Sequence, residues 1–165
     1  MNHAYAEAGV KREENAASLA LRSLVIFGMV VGVILMLIGG LFSIVGIALV
    51  VVLGFLYPRL SVEYEYVYVD GQLDFDRITG KAKRKTMLRV DFDQVEAVAP
   101  ANSHSLDEYK NGQFETKNFA SGSKESKPYV VVAKVNDKRM KIFFEPSEKM
   151  VDLMKQKAPR KVTTY

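Results

Sequence analysis

The sequence predicts an α+β protein, in which a hydrophobic two-helix hairpin precedes an antiparallel β domain that is closed by one C-terminal amphipathic helix. Three observations predict this class. Residues 24–57 contain no charged side chain, although charged residues make up 25% of the chain. After Pro58, apolar and polar residues alternate with the period of a β-strand. Residues 146–158 instead repeat their apolar side chains at helical spacing.

The charge-free block is too long for one membrane helix. A single helix of about 34 residues would be about 51 Å long, whereas the hydrocarbon core of a bilayer is about 30 Å thick. Gly39 and Gly40 are the only adjacent glycines in the block, and glycine is unfavourable inside a helix. The sequence therefore predicts two spans, at about 21–38 and 41–57. A polar segment, 1–20, precedes them.

The composition of the block favours insertion into a bilayer. Each half carries about a dozen Leu, Ile, Val or Phe residues, which together contribute on the order of −3 to −7 kcal/mol. The apolar core of a cleaved signal peptide has only about 7–15 residues, so this block is an anchor. A buried hairpin in a soluble core would need a covering domain, and the rest of the chain is too small to provide one.

The flanking charges predict the orientation of the hairpin. Lys11, Arg12 and Arg22 precede the block, Arg59 follows it, and the glycine turn carries no charge. The positive-inside rule therefore places both termini in the cytoplasm of a multi-pass protein of the plasma membrane.

Two glycines give the spans a surface for close helix contact. Gly28 and Gly32 form a small-xxx-small step, which allows either the two helices of one hairpin to pack closely or two chains to form a homo-oligomer. No ionisable residue lies within the spans, so a proton or ion pathway is not expected.

Residues 58–165 are predicted to form an independent cytoplasmic domain. Val62, Tyr64, Tyr66 and Tyr68 fall on one face of the first strand, and we expect this stripe to belong to the core. Asp70-Gly71 then predicts a two-residue hairpin turn. The return strand at 73–78 and a second turn near Thr79-Gly80 lead to a further strand at 86–90, and another short strand follows at 92–98.

The second half of the domain is predicted to contain a long loop, a hairpin and a helix. The polar stretch 100–128 has a helical turn at 106–109 and an irregular strand at 113–119. A buried strand at 129–135 and a return strand at 139–144 flank the turn Asn136-Asp137. The helix at about 146–158 is expected to cover the open side of the sheet.

The order of these elements resembles that of bacterial pleckstrin-homology-like (PH-like) membrane proteins, in which a two-helix hairpin is followed directly by such a domain. The resemblance rests on the basic segment 81–89, the run LRVDFDQVEAV at 88–98, and the ending KIFFEPSE at 141–148. It implies a strongly bent β-sandwich or barrel that is plugged at one end by the terminal helix. It also implies binding of lipids, peptides or proteins, because fold alone does not choose among these ligands.

A basic cluster is the sharpest candidate for a binding site. Five basic residues surround one predicted hairpin: Lys81, Lys83, Arg84, Lys85 and Arg89. Near a membrane, such charges attract anionic lipid headgroups at about 1 kcal/mol each. They would equally suit an unidentified protein partner. The alternative is a solvated hairpin tip that discourages edge-to-edge pairing.

The sequence offers no pattern for catalysis or metal binding. Cysteine is absent, and His104 has no neighbouring ligand motif. Asp91, Asp93 and Glu96 lie among basic residues and are expected to balance surface charge. The net charge of +4 is small, and the basic residues do not form one face with aromatic residues between them. Nucleic acid is therefore not an expected partner. We therefore expect a non-enzymatic protein without metal or cofactor.

Two functional hypotheses follow. In the first, the hairpin anchors a PH-like binding or scaffolding module to the bilayer. In the second, the chain is an accessory subunit of a membrane complex, for transport or envelope assembly, and the helices make the contact through Gly28 and Gly32.

Overall fold

The computed structural model describes residues 4–164, so the first three residues of the predicted polar segment and Tyr165 of the predicted domain lie outside the described residues. The chain divides into two compact units. One, the β unit, contains the described residues before Glu13 together with residues 63–78 and 84–164. The other, the hairpin unit, contains residues 13–62 and 79–83.

The hairpin unit consists of two antiparallel helices, α1 (Ala16–Ile38) and α2 (Leu41–Leu56), followed by a 3₁₀ turn (Tyr57–Leu60). The Asn15 side chain accepts a hydrogen bond from the backbone N–H of Ser18 at 2.9 Å, and this cap begins α1 upstream of the predicted residue 21. Gly39 (φ 88°) and Gly40 (φ 64°) form the turn, in a backbone conformation that glycine adopts most easily. By length and composition, α1 is long and apolar enough to cross a membrane, and so is α2 together with the 3₁₀ turn up to Leu60.

A strand that the sequence pattern does not predict begins the β unit. Strand β1 (Tyr5–Lys11) pairs antiparallel with β2 (Val62–Val69), from Tyr5 opposite Val69 to Lys11 opposite Glu63. Most of the predicted polar segment 1–20 is therefore sheet and the start of α1. The hydrophobic hairpin is inserted between the first two strands of the domain, and the predicted domain from residue 58 onward lacks its first strand.

The strands of the β unit form two four-stranded sheets. The first has the order β1-β2-β3-β4, with β3 at Gln72–Thr79 and β4 at Lys83–Asp91. The second has the order β5-β7-β8-β6. Its strands are β5 (Val95–Pro100), β6 (Glu115–Asn118), β7 (Tyr129–Val135) and β8 (Lys138–Phe144).

The core is rich in aromatic side chains, and the predicted tyrosine stripe lies in it. Tyr64, Tyr66 and Tyr68 are buried. The Tyr66 ring meets Phe75 and Phe144 edge-on, with centroids 5.8 and 5.4 Å away, which is a favourable aromatic geometry. The buried Tyr66 hydroxyl donates a hydrogen bond of 2.6 Å to the carbonyl of Phe119, and burial raises the pKa of Tyr66.

Helix α3 (Glu148–Lys157) closes the unit and buries Met150, Val151 and Met154. The Ser147 side chain caps its first turn by accepting from the N–H of Met150 at 3.3 Å. Together with the hairpin and the two sheets, α3 confirms the predicted α+β, PH-like fold class. The chain after α3 then forms a short parallel bridge to β5, between Val162 and Val98.

The long connection between β5 and β7 contains both of the short elements predicted there. A 3₁₀ helix covers His104–Tyr109, and β6 pairs in parallel with β8. Leu106, together with the partly buried Tyr109 and Phe114, packs against Ala99, Val130 and Val132 of the second sheet. The connection is therefore a packed cover over this sheet.

Candidate functional site

The five predicted basic residues occupy one turn and one strand. Lys81 lies in the turn between β3 and β4 with a positive φ of 59°, and the other four residues lie on β4. All five are exposed. Strand β4 is an edge strand of the first sheet, which explains how so many charges are accommodated on a single strand.

The turn at residues 79–83 is held against the end of the hydrophobic hairpin. The Gly80 N–H donates a hydrogen bond of 3.1 Å to the carbonyl of Ser61. A Cβ atom on Gly80, whose φ is 63°, would lie 3.4 Å from the Pro58 carbonyl oxygen. Glycine therefore allows the positive φ of this turn, and its Cα side faces the backbone of Pro58 at contact distance. Lys81 and Lys83 thus belong to the same compact unit as the hairpin.

A third basic side chain completes this group. Arg59 follows the helix-ending Pro58, and its guanidinium lies over the Phe55 ring at 4.0 Å from the centroid, a cation–π contact. We call Arg59, Lys81 and Lys83 the hairpin-base cluster. The sequence marks Arg59 only as a charge that flanks the hydrophobic block, because its proximity to residues 81–83 depends on the fold.

The two arginines of β4 form ion pairs within the β unit. Arg84 contacts the carboxylates of Glu65 and Asp76, the latter from Nε at 3.6 Å. Arg89 binds Asp74 through two hydrogen bonds of 2.8 Å, from Nε and Nη2. These bonds fix the arginine side chains and compensate their charges.

The ion pair of Asp74 is reflected in its acidity. Partial burial alone would raise the pKa of Asp74, but hydrogen bonds from Arg89 and Gln72 outweigh burial and hold the pKa below its ordinary value. The Asp74 carboxylate is therefore stabilised in its charged form, as is typical of a structural ion pair.

The structure thus divides the predicted site into two groups. Arg84 and Arg89 tie β4 to the neighbouring strands through carboxylates. Lys81, Lys83 and Lys85 form no ion pair with any side chain in the described range 4–164. The three lysines are the members of the predicted cluster whose charge remains uncompensated, so they are the better candidates for an external contact.

The two candidate glycines lie between the helices of their own hairpin. A Cβ atom on Gly28 would lie 2.6 Å from Leu53 Cδ1, and one on Gly32 would lie 2.8 Å from Val50 Cγ2. Gly46 of α2 packs opposite Gly32. These distances are shorter than normal contacts, so the glycines allow the helices to approach closely. The surface of Gly32 is buried within the hairpin and is not available to a second chain.

Of the other polar candidates, one joins a local ion pair and two line a cavity. The His104 imidazole and the Lys110 ammonium both contact Asp107, at 3.2 and 2.6 Å. Asp91 and Asp93 line an open cavity of about 620 Å³ beside the β2–β3 turn, together with Lys157. Among residues 4–164, no three His, Asp or Glu side chains are placed to hold a metal ion.

A comparison with protein families supports the fold. The family described as "Bacterial PH-like domain (DUF6106)" matches residues 2–164. The match includes the inserted hairpin as well as both sheets. Neither a curated protein nor a solved structure matches the chain. Because the family match extends over nearly the whole length, the chain belongs to the bacterial PH-like domain family DUF6106.

Proposed function

We propose that this protein is a membrane-anchored, non-enzymatic binding module. The hairpin crosses the plasma membrane twice, the β unit lies in the cytoplasm, and the basic turn at residues 79–83 contacts anionic lipid headgroups. The observation that carries the proposal is the insertion of an uncharged, apolar hairpin between two strands that pair with each other, β1 and β2.

The exposed surface of the hairpin supports membrane insertion. Apolar side chains project from both helices along their length, and Leu37 and Leu41, on either side of the turn, are 83% and 80% exposed. Soluble monomers rarely expose apolar patches larger than a few hundred Å². Lipid is the cover that fits a surface surrounding both helices.

The strand pairing supports one orientation for both ends of the hairpin. Lys11 and Glu63 are partners in the antiparallel register, and partner residues in such a pair lie about 4.5–5.5 Å apart between Cα atoms. The chain leaves the sheet at Lys11 and returns beside it at Glu63, which supports a hairpin that begins and ends on the same side of a bilayer. The positive flanks, including Arg59, favour the cytoplasmic side.

The position of the hairpin-base cluster supports lipid contact. Residues 79–83 bond to the chain segment that follows α2, which in a membrane lies at the headgroup level. Three cations there would contribute about 1 kcal/mol each in an anionic leaflet. That attraction is weak for a free domain, but an anchored domain already has a high effective concentration at the surface.

A spin label at Ala82→Cys tests the lipid contact, since the chain has no cysteine of its own. The full chain is reconstituted in vesicles with and without phosphatidylserine, and collisions of the label with a water-soluble relaxation agent are measured. We expect the anionic lipid to protect the label. The change of Arg59, Lys81 and Lys83 to Gln should abolish the lipid dependence.

The matched control removes three exposed lysines elsewhere, Lys124, Lys127 and Lys149, by the same change to Gln. It alters the net charge equally and should leave the lipid dependence intact. A label that is equally accessible in both lipid mixtures, or a control that behaves like the cluster variant, would exclude a specific contact of the hairpin-base cluster.

A further inference from the structure

We propose that the free edge of β4 is a strand-addition site for an extended, acidic segment of a partner protein. The inference rests on the proposed role as a binding module and identifies the class of its partner. Apart from Lys83, which belongs to both, it uses a different surface from the lipid contact, namely the backbone of β4 together with the side chains of Lys83, Lys85 and Met87, which we call the β4 edge.

The other sheet edges are covered or short. In the first sheet, α3 packs beside β1. In the second sheet, the C-terminal segment covers β5, because Val98 donates to the Lys161 carbonyl at 2.7 Å and accepts from the Thr163 N–H at 2.8 Å. The remaining edge, β6, has 4 residues. Strand β4 has 9 residues, and it is the long open edge among the described strands.

The backbone of β4 retains unused hydrogen-bonding groups. Within residues 4–164, β4 is the last strand of its sheet, and no backbone hydrogen bond joins it to the chain beyond that sheet. In an edge strand, every second residue directs its N–H and C=O away from the sheet. Residues 83–87 are exposed in succession, so an added strand would meet no side chain that covers this edge.

The charges of β4 select the kind of strand that would fit. Lys83 and Lys85 have no ionic partner among the described residues, and Arg84 and Arg89 remain 53% and 60% exposed in their ion pairs. A strand that carries carboxylates opposite these residues gains favourable cross-strand pairs. Met87 is 45% exposed and offers an apolar contact at the centre of the strand.

The same charges disfavour the simplest competing partner. In an antiparallel pair of two β4 strands centred on Met87, Lys85 of each copy would lie opposite Arg89 of the other, and like charges in cross-strand positions are destabilising. Lysine on an edge strand commonly prevents such self-association. The positive edge therefore disfavours pairing with a second copy of β4 and favours pairing with a strand of opposite charge. Repulsion and attraction both contribute to this specificity.

The test uses the full chain in nanodiscs of uncharged lipid, which removes competition from anionic headgroups. The probe is a fluorescent 9-residue peptide, matched in length to β4, that alternates glutamate with valine. Two further versions carry N-methyl groups on alternate amides, one version for each edge of the peptide. They keep the charge of the probe, but each blocks backbone pairing along one edge.

We expect the acidic peptide to bind, and a version with lysine in place of glutamate not to bind. One N-methylated version should lose at least tenfold in affinity, while the other binds like the parent peptide. Alternate amides of β4 should gain protection from hydrogen exchange on binding. The Lys83→Gln, Lys85→Gln double variant should weaken binding severalfold, whereas a Lys124→Gln, Lys127→Gln control should not.

Absence of binding would overturn the proposal. It would also be overturned by equal binding of both N-methylated versions, since charge alone would then explain the attraction. Exchange protection outside β4 would place the peptide on another surface, and this too would contradict it. None of these outcomes bears on anchoring, because the topology of the hairpin is measured separately by cysteine labelling.

Discussion

Removal of β1 should prevent the β unit from folding, although β1 lies on the far side of the hydrophobic hairpin in the sequence. All seven residues of β1 pair with β2. If about seven backbone hydrogen bonds are lost at about 0.5–1.5 kcal/mol each, the cost is roughly 3–10 kcal/mol. Domains of this size are stable by only about 5–15 kcal/mol, so the loss is comparable to the total.

Two soluble proteins test this expectation. The first is a fragment that begins at Ser61 and lacks β1. The second retains β1 and replaces residues 12–62 with Asn-Gly, because Lys11 and Glu63 are already partners and Asn-Gly favours a two-residue hairpin turn. Urea unfolding is followed by circular dichroism and tyrosine fluorescence.

We expect a cooperative transition for the joined protein and none, or one at much lower urea, for the fragment. Addition of a synthetic peptide with the sequence of residues 4–12 should restore part of the stability of the fragment. If the fragment and the joined protein unfold at the same urea concentration, β1 does not complete the sheet and the inserted-hairpin architecture is wrong.

Three single substitutions test the β unit further. Arg84→Ala should cost about 1–3 kcal/mol in urea unfolding of the joined protein, because the largely buried Asp76 loses its cation. Tyr66→Phe should cost about 1–3 kcal/mol, because the buried carbonyl of Phe119 loses its donor. The pKa of Asp74 is lowered in the folded state. Its ion pair therefore stabilises the folded state fully when the pH is above the ordinary, unfolded-state pKa of the carboxyl, and this stabilisation is lost as the pH falls through the folded-state pKa. Asp74→Asn should therefore be destabilising at pH 7 and nearly neutral in strong acid.

Elements with long, regular patterns were predicted from the sequence. The hairpin was predicted because a run without charge has few alternatives, and its turn because Gly39 and Gly40 stand together. The tyrosines of β2 and the apolar face of α3 repeat with the periods of a strand and a helix, and the structure places both in the core. The interpretation of these segments therefore required only local information.

Strand β1 was not predicted because its signal is weak and its partner is distant. Its inward side chains include Ala6 and Ala8, which have low strand propensity, and Gly9 interrupts the pattern. The partner strand follows only after the whole hairpin. Its membership of the sheet is therefore a tertiary property, which periodicity within one segment cannot reveal.

The division of the basic cluster into arginines with ionic partners and lysines without them could not be predicted from the sequence either. The lysines and arginines of residues 81–89 look alike as a run of charge. Arg84 reaches Glu65 and Asp76 only because β2, β3 and β4 lie side by side in the sheet. Lys85 has no such partner among the described side chains, and this difference depends on strand order and geometry.

The topology of single-cysteine variants tests the central claim most directly, because the chain contains no cysteine. Cysteines at Leu41 beside the turn, at Gly9 in β1 and at Lys124 in the β unit are labelled with a membrane-impermeant maleimide in intact and in permeabilised bacterial cells. We predict that Leu41→Cys reacts in intact cells, whereas Gly9→Cys and Lys124→Cys react only after permeabilisation. Reaction of Gly9→Cys and Lys124→Cys on opposite sides of the membrane, or of Leu41→Cys only after permeabilisation, would contradict a membrane-crossing hairpin inserted between β1 and β2.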